Sequence, residues 1–247
     1  MALELTERQI AMLAQMGVRV WSPPGSPGPP VRAEMPEPTE PEGRAIRPAQ
    51  PGTWPALEAA VRSCRACGLC GRGNGAWAPQ QARTATWMVV VDMPGDPAAT
   101  PGEEDLLLDR MLKAVGRSRT GVGEKGAYLT TAVKCMPLHG KGLGDAEIEA
   151  CREHLRQEVR LLMPRMILGM GRFAARALVG SQQPLGALRG QVHAFEGVPV
   201  VMTYPTAYLL RHPLEKAKAW ADLCSAIERI ATDVEIMGVG VTLSQRF

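Results

Sequence analysis

Residues 87–95 read WMVVVDMPG. Trp87 to Val91 form a continuous apolar run, which is typical of a strand that is buried on both faces of a sheet. Residues 92–95 (Asp-Met-Pro-Gly) have the composition of a turn. This stretch therefore predicts a buried strand followed by a turn.

On both sides of this strand, segments with helical periodicity alternate with short apolar runs. Helices are predicted over 55–62, 103–115, 145–163, 172–179 and 214–230, and further strands over 128–133, 166–168, 191–195 and 198–203. Asp145 is the expected cap of the helix over 145–163. The alternation predicts an α/β fold with helices on both faces of the sheet.

The N-terminal region differs in composition from the rest of the chain. A capping-box pattern is followed by an apolar set that begins at helical spacing, namely Ile10, Leu13, Met16, Gly17, Val18 and Trp21. Residues 22–52 hold ten of the 21 prolines without hydrophobic periodicity, which predicts a semi-extended, disordered linker. A short apolar helix on such a tether favours a peptide that docks on a partner; the alternative is that it folds back on its own domain.

We accordingly divide the chain into a partner-binding peptide (1–21), a linker (22–52), an α/β domain (53–231) and a tail (232–247). The formal net charge of +3 is too small to indicate nucleic-acid binding by itself, and an aromatic content of 4% disfavours a stacking platform for single strands. No apolar run is long enough to span a membrane, and the N-terminus has no secretory signal. We therefore expect a cytoplasmic protein.

The cysteines are the clearest candidates for chemistry. Cys64 and Cys67 form a Cys-x2-Cys pair before the first strand, Cys135 follows the second strand, and Cys151 lies in the first turns of a long helix. Such a pair brings two thiolates to one metal, and two thiolates from elsewhere complete the ligand set. An iron–sulfur cluster is favoured, with a zinc ion and ordinary free thiols as alternatives. Cys224 is expected to be a core thiol.

Residues 169–174 match the Gly-x-Gly-x-x-Ala pattern of a dinucleotide-binding turn. The acidic residue expected about 20 positions later is missing, since Arg189 and Gly190 stand there. A tight strand-to-helix turn without a ligand is the favoured interpretation.

Five stretches resemble, in order and spacing, the iron–sulfur uracil-DNA glycosylases of family 4. They are residues 64–67 (CRAC), 88–95 (MVVVDMPG), 130–135 (TTAVKC), 149–152 (EACR) and 204–211 (YPTAYLLR). The resemblance implies a three-layer uracil-DNA glycosylase-like fold with a central, mostly parallel sheet. It also implies a 4Fe-4S cluster held by Cys64, Cys67, Cys135 and Cys151, whereas Cys70 has no counterpart.

Several functional positions of that family read differently in this chain. Asp92 stands in the loop that positions water, Thr131 aligns with the Asn that reads the uracil edge, and Pro205 aligns with a His. No aromatic residue stands between Pro94 and Arg110, where the family carries a Phe that stacks on the flipped base. Because base flipping requires a stacking face, an edge-reading group and a transition-state stabiliser, these changes predict a retained scaffold with a lost active site.

A second resemblance is to the psi subunit of bacterial DNA polymerase III. Residues 13–21 (LAQMGVRVW) look like the N-terminal peptide of that subunit, and residues 91–94, 205–207 and 219–224 look like parts of its body. The resemblance implies a non-catalytic adaptor. Its residues 1–21 would bind the clamp-loader collar, and its body would bind the chi subunit and, through it, single-stranded DNA-binding protein.

The favoured hypothesis is therefore a psi subunit without enzyme activity, built on a glycosylase-like scaffold with a structural 4Fe-4S cluster. The first alternative is a divergent iron–sulfur uracil-DNA glycosylase of base excision repair, acting on uracil or another damaged base, in which Asp92 activates water. A further alternative is a non-catalytic DNA-binding relative. Only the first alternative predicts release of base from uracil-containing DNA.

Overall fold

A computed structural model describes residues 52–69, 83–95, 102–135 and 143–236. The helices in these ranges are α1 (Trp54–Arg62), α2 (Glu103–Ala114), α3 (Asp145–Leu162), α4 (Arg172–Val179), α5 (Leu185–Leu188), α6 (Thr206–Arg211) and α7 (Lys216–Ile236), with a 3-10 helix at Pro213–Glu215. The strands are β1 (Ala85–Val91), β2 (Gly123–Thr131), β3 (Met166–Met170), β4 (Val192–Phe195) and β5 (Val198–Thr203).

The strands form one sheet in the order β2-β1-β3-β5-β4. β1 is parallel to β2 and β3, and β3 is parallel to β5, whereas the edge strand β4 is antiparallel to β5. Val91 pairs with Thr131 on one side and with Met170 on the other, and Met170 pairs with Thr203. The expected α/β fold with a mostly parallel sheet is confirmed, and four strands end in one row.

β1 is apolar throughout because helices cover both faces of the sheet. Trp87 and Val89 belong to the core that lies against α2 and α7, and Met88 and Val90 belong to the core against α3 and α4. All four side chains are at most 1% exposed. The alternation along one strand thus produces the three layers.

Some boundaries differ from the sequence predictions. β2 covers 123–131 rather than 128–133, because the chain bends at residues 132–135. Gly144, not Asp145, is the cap of α3, and its N–H donates to Glu147 Oε2 at 3.0 Å. Asp145 Oδ1 instead accepts a hydrogen bond from Arg176. The helices at 185–188 and 206–211 were not predicted, since they are too short to show periodicity.

The partner-binding peptide and almost all of the linker lie outside the described residues. The positions Ile10, Leu13, Met16, Gly17, Val18 and Trp21 therefore stay predictions, as does the division of the chain at 21, 52 and 231. Where the chain is described, no helix is both long and apolar enough to cross a membrane.

A buried ion pair joins the end of β2 to α3. Lys134 Nζ lies 2.8 Å from Glu158 Oε2, and the two side chains are 1% and 0% exposed. Lys134 Nζ also donates to Thr130 Oγ1 at 2.6 Å and to the Thr131 carbonyl at 2.9 Å. Tyr128 OH and Thr130 Oγ1 donate to the Glu158 carboxylate. Both charges are thus hydrogen-bonded on several sides, which is the condition for burying such a pair.

Loss of one partner should cost more than loss of both. We expect Glu158→Gln to lower the free energy of unfolding by about 3–5 kcal/mol, because it leaves the Lys134 ammonium buried without a counter-charge. The double variant with Lys134→Met should lose less than the sum of the single variants. Urea denaturation measures all three.

Glu149→Gln serves as the control, since the Glu149–Arg152 pair lies at the surface with Glu149 65% exposed. Its cost should stay below about 1 kcal/mol. Additive effects of the Lys134 and Glu158 variants would contradict the coupling.

Candidate functional site

The carboxyl ends of β1 and β3 lie at a topological switch point. The chain leaves β1 toward β2 on one side of it, and leaves β3 toward β5 on the other. In open α/β sheets, ligands bind in the crevice outside such a point. We call the row formed by Asp92, Thr131, Gly171 and Tyr204, the residues at or just after the ends of the four parallel strands, the carboxyl-edge crevice.

Asp92, directly after β1, lies against the first turn of α4. Its Oδ1 accepts the N–H groups of Phe173 and Ala174, each at 2.9 Å. Burial raises the pKa of Asp92, while the helix N–H groups and the Arg172 charge act in the opposite direction. The carboxylate is therefore bound by the protein itself at the N-terminus of a helix.

Packing accounts for both glycines of the Gly-x-Gly-x-x-Ala pattern. A Cβ atom on Gly171, which has a φ of +115°, would lie 2.3 Å from Asp92 Oδ1. A Cβ atom on Gly169 would lie 2.5 Å from the Met202 sulfur and 2.9 Å from a methyl carbon of Leu178. The first glycine thus makes room for α4 against the sheet, and the second makes room for a carboxylate. These contacts support the interpretation as a tight turn without a ligand.

Thr131, at the end of β2, is only 2% exposed, and its Oγ1 has no hydrogen-bond partner. The adjacent Thr130 differs, because its hydroxyl contacts both Glu158 and Lys134. A buried hydroxyl without a partner is costly in a folded protein and calls for an explanation such as a ligand. Among the described residues, Thr131 Oγ1 is thus one of several buried polar atoms without a partner, and Thr203 Oγ1 at the end of β5 is another.

A column of stacked side chains follows β5. The Arg189 guanidinium lies 4.3 Å from the centre of the Tyr204 ring, and the ring centres of Tyr204 and Tyr208 are 4.8 Å apart. The ring of His212 lies 4.3 Å beyond Tyr208. Each tyrosine ring thus contacts two neighbouring rings or cations, and both tyrosines are half-buried. Pro205, which aligns with the family histidine, precedes α6 and offers no side-chain donor.

The predicted cysteine ligands come from three parts of the fold. Cys64 and Cys67 follow α1 and are half-buried, while Cys135 in the bend after β2 and Cys151 in α3 are both buried. Burial raises the pKa of Cys151 to about 11, and Cys67 and Cys135 act on it electrostatically in the same direction. The main-chain N–H and the charge of Lys134 act the other way. Cys151 is thus within electrostatic range of two of the other predicted ligands, Cys67 and Cys135.

A bound metal centre would offset the unfavourable ionisation of Cys151 beside the other cysteines. A raised pKa means that the thiolate is disfavoured in the protein alone, and a metal centre stabilises it by binding it. In the described ranges, however, no three His, Cys, Asp or Glu side chains stand close enough to hold a metal ion. The thiol donor set fits an iron–sulfur cluster in kind, and its ligand geometry stays a prediction.

Two groups that shape this region were missed by sequence reasoning. The Lys134–Glu158 ion pair fixes the bend that carries Cys135. Gly171, which has no side chain, leaves the space that the Asp92 carboxylate occupies. The sequence did contain a signal for Lys134. Lysine normally lies at the surface, so a lysine inside the apolar run Ala132-Val133-Lys134-Cys135 is unusual. No local signal connected Asp92 with a helix 80 residues later.

Comparisons with known proteins identify the family. The family model of the Uracil DNA glycosylase superfamily matches residues 96–224. The Type-4 uracil-DNA glycosylase of Pyrobaculum aerophilum is 29% identical over 144 residues, which are 55% of this chain and 74% of that protein. The enzyme with the same name from Archaeoglobus fulgidus is 28% identical over 130 residues, 49% of this chain and 62% of its own length. The enzyme with the same name from Sulfurisphaera tokodaii is 25% identical over 166 residues, which are 62% of this chain and 74% of that protein.

These findings overturn the psi-subunit hypothesis. The relatives are named as glycosylases, and nothing in the comparisons points to a clamp loader, to chi or to a non-catalytic adaptor. The nine-residue match at 13–21 carries little information, and it lies outside the described residues. The other matches to psi, such as 91–94 and 205–207, fall inside the glycosylase-like domain and were not independent evidence.

The prediction of a glycosylase-like scaffold is confirmed, because the matched segment includes β2 to β5 and most of the helices that cover them. The chain belongs to the Uracil DNA glycosylase superfamily.

Proposed function

We propose that the protein is a DNA glycosylase that removes uracil from DNA. The observation that carries the proposal is that the carboxyl-edge crevice of a chain in this superfamily contains a buried, unpartnered hydroxyl, that of Thr131. The names of the relatives support the same substrate. This function replaces the adaptor hypothesis and agrees with the first alternative drawn from the sequence.

The reaction is hydrolysis of the bond between the base and the sugar. Water adds to C1′ of the deoxyribose, the bond from C1′ to the base nitrogen breaks, and uracil leaves with the bonding electrons and takes up a proton. The enzyme must first turn the base out of the stack and bind it by its polar edge. The Thr131 hydroxyl can donate one hydrogen bond to that edge and accept one from it.

The changes at other family positions predict a slow enzyme rather than an inactive one. Tyr204 and Tyr208 already pack against each other and against Arg189 and His212, and Pro205 supplies no hydrogen-bond donor. Loss of one transition-state stabiliser typically lowers the rate about 100- to 1,000-fold. The scaffold is retained, and Thr131 offers a hydroxyl at the position of the edge-reading asparagine, so measurable base release is expected under single-turnover conditions.

The direct test is release of uracil from single-stranded and duplex oligonucleotides that carry one uracil, with excess protein. We expect abasic product that forms in proportion to time and is absent with a thymine-containing oligonucleotide. An inhibitor protein specific for other uracil-DNA glycosylases should be added to remove contaminating activity. No abasic product above the background of a mock purification would reject the proposed function.

Replacing Thr131 by valine tests the edge-reading role. We expect Thr131→Val to lower kcat/KM for uracil release about 10-fold, which corresponds to one hydrogen bond of about 1–1.5 kcal/mol. The free energy of unfolding should not fall, since the hydroxyl has no partner in the protein. Steady-state or single-turnover kinetics and urea denaturation measure the two effects.

Thr130→Val is the matched control, because its hydroxyl is bonded to Glu158 and Lys134. It should lose about 1–3 kcal/mol of stability and keep the kcat/KM of the folded fraction. Equal activity of the Thr131→Val variant and the unaltered protein would remove Thr131 from the site.

We further propose that Cys64, Cys67, Cys135 and Cys151 hold a 4Fe-4S cluster with a structural role. The electrostatic interaction of Cys67, Cys135 and Cys151 supports the proposal. When bound, the cluster would tie the segment after α1 to the bend after β2 and to α3, and no redox step is needed.

Cysteine variants test this assignment by their iron content. The purified protein should contain about four iron atoms per chain with visible absorbance, and Cys135→Ser or Cys151→Ser should lose most of both. Cys224→Ser in α7 should retain the iron and is the control. Stoichiometric zinc in place of iron, or unchanged iron in the Cys135→Ser and Cys151→Ser variants, would contradict the proposal.

The division into a peptide (1–21), a linker (22–52), a glycosylase domain (53–231) and a tail (232–247) is retained as a proposal. Its support is the concentration of ten of the 21 prolines in 22–52 and the family match over 96–224. A cytoplasmic location is also proposed. It rests on the proposed DNA substrate and on the proposed thiol ligands, which need a reducing compartment.

A further inference from the structure

The Asp92 carboxylate lies between hydrogen-bond donors of α4 and the space left by a glycine. Oδ1 accepts two N–H groups from the first turn of α4, those of Phe173 and Ala174. The missing side chain of Gly171 leaves the space, because a Cβ atom there would lie 2.3 Å from Oδ1 and 2.4 Å from Oδ2. Both carboxylate oxygens therefore lie against the same glycine at the start of the helix.

The main chain around Asp92 makes a second connection. The Asp92 carbonyl accepts the N–H of Val133 at 3.3 Å, and the Val91 carbonyl accepts the N–H of Ala132 at 2.8 Å. The side chain thus contacts the helix that follows β3, while the backbone contacts the bend that follows β2. Asp92 joins the carboxyl ends of three neighbouring strands at the switch point.

We propose that Asp92 is a positioning residue that binds the turn after β1 to the N-terminus of α4 and does not activate water. Gly171 leaves the space in which its carboxylate lies. The proposal rests on the glycosylase function proposed above and assigns a role within that site. A carboxylate that turned toward a water molecule would leave the Phe173 and Ala174 N–H groups without their acceptor, which is unfavourable in a largely buried place.

A positioning role requires a hydrogen-bond acceptor, whereas a general base requires a group that can take up a proton. Asparagine is about as good as aspartate at a helix N-terminus, and its carbonyl oxygen can accept the same two N–H groups. It also avoids the burial of a charge. Aspartate-to-asparagine and aspartate-to-alanine variants therefore separate the two roles.

The experiment compares D92N, D92A and G171A in uracil release and in thermal unfolding. We expect D92N to keep kcat/KM within about 3-fold, with an unchanged pH dependence and an unchanged or higher Tm. D92A should lose about 2–4 °C or more in Tm through loss of the helix cap, and about 10-fold or more in kcat/KM. G171A should resemble D92A, because its methyl group displaces the carboxylate.

G180A is the matched control for G171A. Gly180 ends the same helix with a φ of +70°, and no atom lies within 4 Å of the place of its Cβ. The strain of a left-handed alanine should lower the Tm of G180A and leave kcat/KM unchanged. A loss of activity in G171A alone then reflects the position of Asp92 rather than general destabilisation.

The proposal is overturned if D92N loses about 100-fold or more in kcat while its Tm is unchanged, since that result identifies a general base. It is also overturned if D92A and D92N have the same Tm, since the carboxylate would then hold nothing. The second criterion needs no activity, so a protein that releases no uracil would reject the proposed function and still leave the role of Asp92 measurable.

Discussion

The buried ion pair between Lys134 and Glu158 fixes the bend after β2, and most of the crevice depends on that bend. Within five residues the bend carries the unpartnered Thr131 hydroxyl at one end and Cys135 at the other. Lys134 reaches α3 with its side chain and holds the Thr131 carbonyl with the same ammonium group. A pair of charges in the interior tolerates few other arrangements, because each misplacement leaves a charge without a partner. One interaction thus fixes the main chain that carries both Thr131 and Cys135, the residues of the two proposed sites.

The turn after β3 illustrates how one local geometry serves different ends. A glycine-rich turn at the start of a helix presents free N–H groups and favours a negative charge. In dinucleotide-binding folds that charge is a phosphate of the ligand. In this chain it is the Asp92 carboxylate from β1, lying against Gly171. The same sequence pattern therefore indicates an internal contact between the turn after β1 and the N-terminus of α4 rather than a cofactor.

The error about function came from weighing differences at single positions above the similarity of the whole domain. Thr131 in place of an asparagine and Pro205 in place of a histidine were interpreted as loss of the active site. The Thr131 hydroxyl is buried without a partner at the end of β2, and its binding of a base is the proposal made above. The short apolar peptide then attracted a second family resemblance that its length could not support.

The α/β class, the buried strand at 87–91 and the helices that follow it could be predicted from the amino-acid sequence, because these depend on hydrophobic periodicity over neighbouring residues. The similarity to a glycosylase scaffold and the candidate cysteine ligands could also be found in the sequence, because both depend on short motifs and their spacing. Which polar groups already have hydrogen-bond partners could be learned only from the three-dimensional arrangement. Thr130 and Thr131 are adjacent and chemically identical, yet one is bonded to Glu158 and the other has no partner. Asp92 meets its helix 80 residues later through a glycine that no local pattern could assign. Such contacts depend on how the strands are ordered in the sheet, and that order follows from packing between distant segments rather than from any one of them.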